Sequence, residues 1–202
     1  MAMIPVHAGP EATPDLAGAI LETALIIAEE RGWEAVRLTE VAARLGVPAS
    51  RLLVHYRDLD AVADAWFLRG LAAMLADPPG GFADWPTRDR LAHCLLGWFD
   101  ALAPHRTITA QMLRTKAHPP HPHTWIPMIV ELSRLIQWWR QAARLEAPYG
   151  SRRARREEVV LTALFLATLR VWEHDTSPDQ HDTRHFLHRR LKRLSRWLNW
   201  DE

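Results

Sequence analysis

Apolar residues recur along this chain at three- and four-residue spacing. Leu16, Ile20, Ala24, Ile27 and Ala28 form one such stripe, opening after Thr13-Pro14-Asp15 and closing at Gly32. That is the boundary chemistry of a helix, so the stripe predicts a first one. Val41, Ala42 and Leu45 make a second, stopped by Gly46 as a left-handed residue. Thr39 is placed to cap it, its hydroxyl accepting from an unpaired first-turn amide. Pro48 suits the first position of a new helix over residues 49–56, with Leu52 and Leu53 inward and Arg51, His55 and Arg57 outward. Asp58 caps a longer helix that runs to about residue 76. Asp77-Pro78-Pro79-Gly80-Gly81 is the clearest break in the sequence. Beyond it every periodic segment is helical and none alternates with the two-residue period of a strand. Helices are predicted over 87–102, 104–116, 124–145, 151–174 and 179–198.

The fold class is therefore all-α. A flexible arm (1–12) precedes a three-helix head (13–57), a connecting helix (58–76), a linker (77–86) and a larger helical domain (87–202). At 202 residues and 48% hydrophobic, the chain has ample material for a core. Its net charge is +1, so no global basic field points to nucleic acid and any such footprint is local. The first residues lack a basic n-region and an apolar core, and the longest uncharged apolar run, 159–169, is too short to span a bilayer. The single cysteine, Cys94, sits in an apolar run and reads as a small buried hydrophobe. Together these predict a cytoplasmic protein.

Two helices joined by a short glycine-bearing turn, residues 39–56, are a helix-turn-helix, which many regulators lay in the DNA major groove. The stretch from Ile20 to Val62 resembles the N-terminal domain of TetR-family transcriptional regulators. The resemblance is carried by the apolar helix ending at Gly32, Thr39, the pair Val41-Ala42, the turn Gly46-Val47 and the pair His55-Tyr56. It implies a dimeric regulator, expected to be a repressor, that binds operator DNA and responds to an apolar small molecule. Ser50, Arg51 and His55 would face base edges and Thr39, Arg44 and Arg57 phosphates, with Tyr56 in the same DNA-binding set. Leu53 and Leu59 stand where that family usually has a tyrosine and a lysine resembling phosphate contacts, and the arm offers His7 and Glu11 instead of basic residues.

A second resemblance lies in residues 161–197, which are similar to the C-terminal region of the lipid-binding accessory family of coenzyme Q (ubiquinone) biosynthesis. The carrying residues are Trp172, Asp175, Ser177-Pro178-Asp179, Asp182-Thr183, Phe186-Leu187 and Arg190-Leu191. This implies the alternative function, a lipid-binding accessory protein whose helix-turn-helix no longer binds DNA. Ser177-Pro178-Asp179 also reads simply as a helix start. The basic last helix carries a stripe of Leu187, Leu191, Leu194 and Leu198 beside Trp197, which fits a core or dimer face better than a membrane surface. Adjacent Trp138 and Trp139 cannot both be central. One in the core and one exposed, or both at a subunit contact, are the readings, and the second resemblance implies a partner-enzyme surface there.

Candidates for an apolar ligand pocket are Trp98, Leu102, Met112, Trp125, Ile129, Leu132, Ile136, Phe165 and Leu169, with Phe99 and Leu164 beside them. The same residues would also make a plain core. His118, His121 and His123 in a proline-rich loop, and His181, His185 and His188 on one helical face, could in principle ligate a metal, but neither group demands one and no metal or cofactor is expected. Arg152, Arg153, Arg155 and Arg156 crowd a helix start and read as a solvated end, partly offset by Glu157 and Glu158. No nucleophile–base set or phosphate-cradling loop is present, so the chain does not read as an enzyme.

Overall fold

The computed structural model describes residues 15–117, 122–198 and 200, without the side chains of 122–125; the arm, His118 and His121 lie outside the described residues. Among the described residues there are helices and connecting turns but no strands. The helices are α1 (Leu16–Arg31), α2 (Leu38–Leu45), α3 (Ala49–Leu52), α4 (Leu59–Met74), α5 (Thr87–Leu102), α6 (Arg106–Lys116), α7 (Pro122–Ala142), α8 (Arg152–His174) and α9 (His181–Leu198). The chain divides into two compact units, Met1–Val62 and Ala63–Glu202.

In the first unit α1 packs on α2, and α2 on α3. Asp15 caps α1 by accepting from the Gly18 amide at 3.1 Å. Ile20, Leu21, Ala24, Leu25, Ile27 and Ala28 bury its inner face against Trp33, Val41, Ala42 and Leu52. Gly46 ends α2 at φ +67°, the left-handed conformation that glycine adopts without penalty. Asp58 caps α4 through the Ala61 amide at 2.8 Å.

Three expectations for this unit need correction. Thr39 is not the cap of α2. The helix begins one residue earlier, with Arg37 at the N-cap in extended conformation and no side-chain cap. The Arg37 guanidinium bonds the Glu34 and Val36 carbonyls, which fixes the approach to the helix and leaves Thr39 exposed inside its first turn. Pro48 is itself the N-cap of α3, and that helix is regular only from Ala49 to Leu52, closing through turns that bring the His55 and Tyr56 amides onto the Leu52 carbonyl. Leu53 is not inward: Leu52 is buried, while Leu53 is 64% exposed, because one residue along a helix turns the side chain by about 100°.

In the second unit α9 packs against α5 and α8, and α7 against α5, α6 and α8. Leu187 and Leu191 of α9 are buried with Thr183 and Ser195, so the leucine stripe belongs to the core; Leu194 and Leu198 are half-buried and Trp197 exposed. Trp139 is fully buried and donates its indole N–H to the Leu91 carbonyl at 2.9 Å, while Trp138 is 45% exposed. No helix of the described residues is long and apolar enough to cross a membrane.

Candidate functional site

The helix-turn-helix presents a short exposed segment. Ser50, Arg51, Leu53, Val54 and His55 are all exposed around the buried Leu52. The side chains of Ser50, Arg51 and His55 make no hydrogen bond or ion pair among the described residues. These are the positions expected to meet base edges.

The expected phosphate contacts are placed differently. Arg44 is held by two bonds to Glu30, at 2.8 and 2.6 Å, and by Glu40 at 3.1 Å. Glu40 also takes Arg31 at 2.5 Å. The hydrogen bond from Arg44 holds the Glu30 carboxyl below its ordinary range, and the one from Arg31 does the same for Glu40. To reach a phosphate, Arg44 must leave two carboxylates. Arg57 is largely exposed and pairs with Asp58 at 3.0 Å. The Tyr56 phenol turns onto α1 and donates to the Ala17 carbonyl at 3.2 Å, so in this structure it ties α3 to the helix behind it. Leu59 is half-buried at the start of α4.

Charge follows the same pattern. Residues 1–62 carry nine carboxylates, five arginines and no lysine. Four of those arginines are engaged: Arg31 and Arg44 by glutamates, Arg57 by Asp58 and Arg37 by carbonyls. Arg51 is the remaining one.

The second unit holds an aromatic cluster at its centre. Trp98 meets Phe99 edge-to-face at 5.1 Å and Phe165 at 5.4 Å; Phe99 meets Trp172 at 5.3 Å. These pairs stabilise by about 0.5–1.5 kcal/mol beyond burial. Leu102, Met112, Ile136 and Leu164 are buried around the unit's core, and Leu132 and Leu169 are half-buried. Ile129 is 55% exposed, with Ile126 and Val130 also exposed on α7. The Trp125 side chain lies outside the described residues. The Trp98 indole N–H is buried and has no acceptor among the described residues, and a β-carbon on Gly70 of α4 would stand 2.8 Å from it. Burial pushes the nearby Cys94 thiol up to about 11, which keeps it protonated and unreactive.

The residues around the α8–α9 turn form one hydrogen-bonded joint. Asp175 is buried; one carboxylate oxygen accepts from the Ser177 amide and hydroxyl at 2.9 and 2.5 Å, the other from the Thr183 amide and hydroxyl at 2.9 and 2.5 Å. Asp175 is thus the capping acid of α9. Ser177 assists by accepting from the Asp182 amide at 3.0 Å. Asp179 and Gln180 both take positive φ, 50° and 57°, a strained conformation for non-glycine residues. Gln180 is held there at both ends of its amide, by the Trp172 indole at 2.5 Å and by Asp100 at 2.8 Å. Arg184 grips Asp100 through two bonds, and the Arg106 guanidinium lies over the Trp172 ring at 5.4 Å while bonding the Asp175 carbonyl.

At the other end of α8 the arginine run conceals a buried ion pair. Glu157 is 1% exposed and meets Arg140 of α7 at 2.9 Å, itself buried, with Arg153 at 3.2 Å. Arg152, Arg155 and Arg156 are exposed, as a solvated end requires. His181 and His185 stack at 6.2 Å, and among the described residues no group of three ligating side chains could hold a metal. His123's side chain is outside the described residues.

The fold and the helix-turn-helix are similar to those of a TetR transcriptional regulator from Nitrosomonas europaea ATCC 19718. That protein is 37% identical over 90% of this chain and 98% of its own, with a TM-score of 0.78. A TetR transcriptional regulator from Rhodococcus sp. RHA1 shares the fold at 20% identity, over 92% of this chain and 100% of its own, with a TM-score of 0.61. The COQ9 family profile matches residues 152–197, the segment similar to the coenzyme Q accessory family. Among curated proteins no match is found.

Proposed function

The chain belongs to the TetR family, and on that premise we propose that it is a dimeric transcriptional regulator, acting as a repressor released by an apolar small molecule. The observation that carries this reading is the segment 50–55. Ser50, Arg51 and His55 stand exposed with uncommitted polar groups on a helix whose angle is fixed by the left-handed Gly46 turn and the Tyr56–Ala17 bond. In a twofold dimer two such segments enter successive major grooves, about 34–36 Å apart. The exposed stripe of Val159, Ala163, Leu166 and Ala167 on α8 supports a second copy packing there with α9. An apolar ligand would enter the aromatic cluster, where the Trp98 N–H, lacking an acceptor, would orient a carbonyl group.

The engaged arginines set a quantitative expectation. With Arg51 and Arg57 as the cations that can reach phosphate from each subunit, roughly two to four phosphates are neutralised per dimer. The slope of log K against log salt is then about −2 to −4. Fluorescence anisotropy with DNA selected from a random pool, at several salt concentrations, measures it. Nanomolar, sequence-selective binding lost in Arg51→Ala establishes the regulator. Feeble binding indifferent to sequence sinks it.

A second reading is favoured by the COQ9 match and by Leu53 and Leu59: a lipid-binding accessory protein of ubiquinone synthesis, with α3 retained only as structure. Organic extraction of the purified protein separates the two. A stoichiometric isoprenoid lipid together with absent DNA binding supports this reading.

A further inference from the structure

We propose that Val54 reads thymine, through van der Waals contact with the 5-methyl group in the major groove, and so makes this regulator's recognition depend on a thymine in each half-site. The inference rests on the regulator reading and names the base class its recognition segment selects. It begins from helical geometry. Leu52 anchors the segment in the core at 1% exposure. Ser50 lies two residues before it on α3 and Val54 two residues after it, in the turn whose Tyr56 amide donates to the Leu52 carbonyl, and both are exposed on the side away from Leu52. They form the outermost line of the segment, the line that goes deepest into a groove. Leu53 and Ala49 flank it on one side, Arg51 and His55 on the other.

Val54 is 79% exposed and Leu53 64%. Isolated exposed hydrophobes are ordinary on a protein surface. Here two adjacent ones stand among the exposed polar groups expected to face base edges, in a chain of the TetR family. Val54 is β-branched and stiff at χ1, so its two methyls are presented with little ordering cost on contact. The occupant follows from the flanking chemistry. Arg51, with no carboxylate partner among the described residues, is the cation beside Val54 that can meet a phosphate, and the one large apolar group a duplex offers in its major groove is the thymine methyl. The charge balance of the unit adds weight. With Arg31, Arg37 and Arg44 committed within the unit, electrostatic attachment is thin, and apolar contact at the bases supplies affinity that phosphates do not.

The test removes the methyl and nothing else. Duplexes selected from a random pool by the full-length protein are re-amplified with dUTP in place of dTTP, and both forms are titrated with wild type, Val54→Ala and Val54→Ile. Covering one methyl is worth about fourfold in affinity, and two half-sites give roughly fifteenfold. The wild type is expected to bind the uracil duplex weaker by that factor. Val54→Ala, on an exposed position where alanine is tolerated, should bind both duplexes alike, and Val54→Ile should restore the difference. Salt-dependent, selective binding equal on both duplexes overturns the thymine inference and leaves the regulator intact. A difference that persists in Val54→Ala overturns it too, since the methyl is then read elsewhere. If no sequence is enriched from the pool, the regulator reading falls and the inference with it.

Discussion

Replacing Asp175 by asparagine puts the α8–α9 joint to its hardest test. The aspartate spends each carboxylate oxygen on one backbone amide and one hydroxyl. Asparagine keeps the shape but turns one oxygen into an NH2. Whichever way the amide faces, that NH2 confronts a backbone N–H, from Ser177 or from Thr183, that has nowhere else to donate. The variant loses two hydrogen bonds to a charged acceptor, at about 1.5–3 kcal/mol each, giving an expected destabilisation of about 3–6 kcal/mol. At about 2–4 °C per kcal/mol the melting temperature falls by roughly 10 °C.

The pH dependence supplies an independent check. Burial, the largest single influence on Asp175, pushes its pKa upward, but the bonds from Ser177 and Thr183 together outweigh it and hold the carboxyl down at about 2, from an ordinary 3.8. A depressed folded-state pKa stabilises above the unfolded value, and that contribution disappears as pH falls through the folded one. It amounts to about 2 kcal/mol at neutral pH and is roughly half gone at pH 3. Asp175→Asn has no carboxylate to titrate there. Urea unfolding followed by far-UV circular dichroism, from pH 7 down to pH 3, should therefore show the gap between wild type and variant narrowing as pH drops. A gap under 1 kcal/mol at pH 7, or one that stays constant to pH 3, would refute the account.

Other substitutions probe separate parts of the molecule. Arg140→Met leaves Glu157 buried with only the exposed Arg153 as partner, so urea unfolding should show a loss of about 3–5 kcal/mol, most of it recovered in Arg140→Met/Glu157→Leu. Gly70→Ala drives a β-carbon to 2.8 Å from the Trp98 indole nitrogen and 3.1 Å from Leu102; a cost of about 1–3 kcal/mol and altered tryptophan emission are expected. Gly46→Val forces a β-branched residue to φ +67° and should cost at least about 1–2 kcal/mol by thermal melting, with DNA affinity falling further because α3 is re-aimed.

Most of the fold was legible because its signals are local. The stripe of α1, the left-handed Gly46, and the Asp15 and Asp58 caps all act within four or five residues of themselves. What escaped was contact across distance. That Arg44 pairs with Glu30, fourteen residues back, gives no sign in the sequence. Tyr56 meets Ala17 across 39 positions. Glu157 sits in a run of charges that looks solvated, and only the fold brings Arg140 over it. Nor does the sequence show that Val54 stands 79% exposed beside the buried Leu52.

The two functional readings draw on different ends of the chain, and the structure shows why both resemblances can hold in one protein. The COQ9-like segment, 152–197, coincides with α8, its joint and α9. Its distinctive residues have work that involves no lipid. Asp175 caps α9, Ser177 and Thr183 close on it, and Trp172 anchors Gln180 while Arg106 lies over its ring. These contacts keep two residues in left-handed conformation, a strain of about 1–3 kcal/mol each. A shared motif of this kind reports a shared way of joining two long helices. It is therefore weak evidence for a shared ligand. What bears on function lies elsewhere, in the exposed groups of Ser50, Arg51 and His55 and in the buried Trp98 N–H, because a stable fold leaves a buried donor unmatched only at some cost or for some partner.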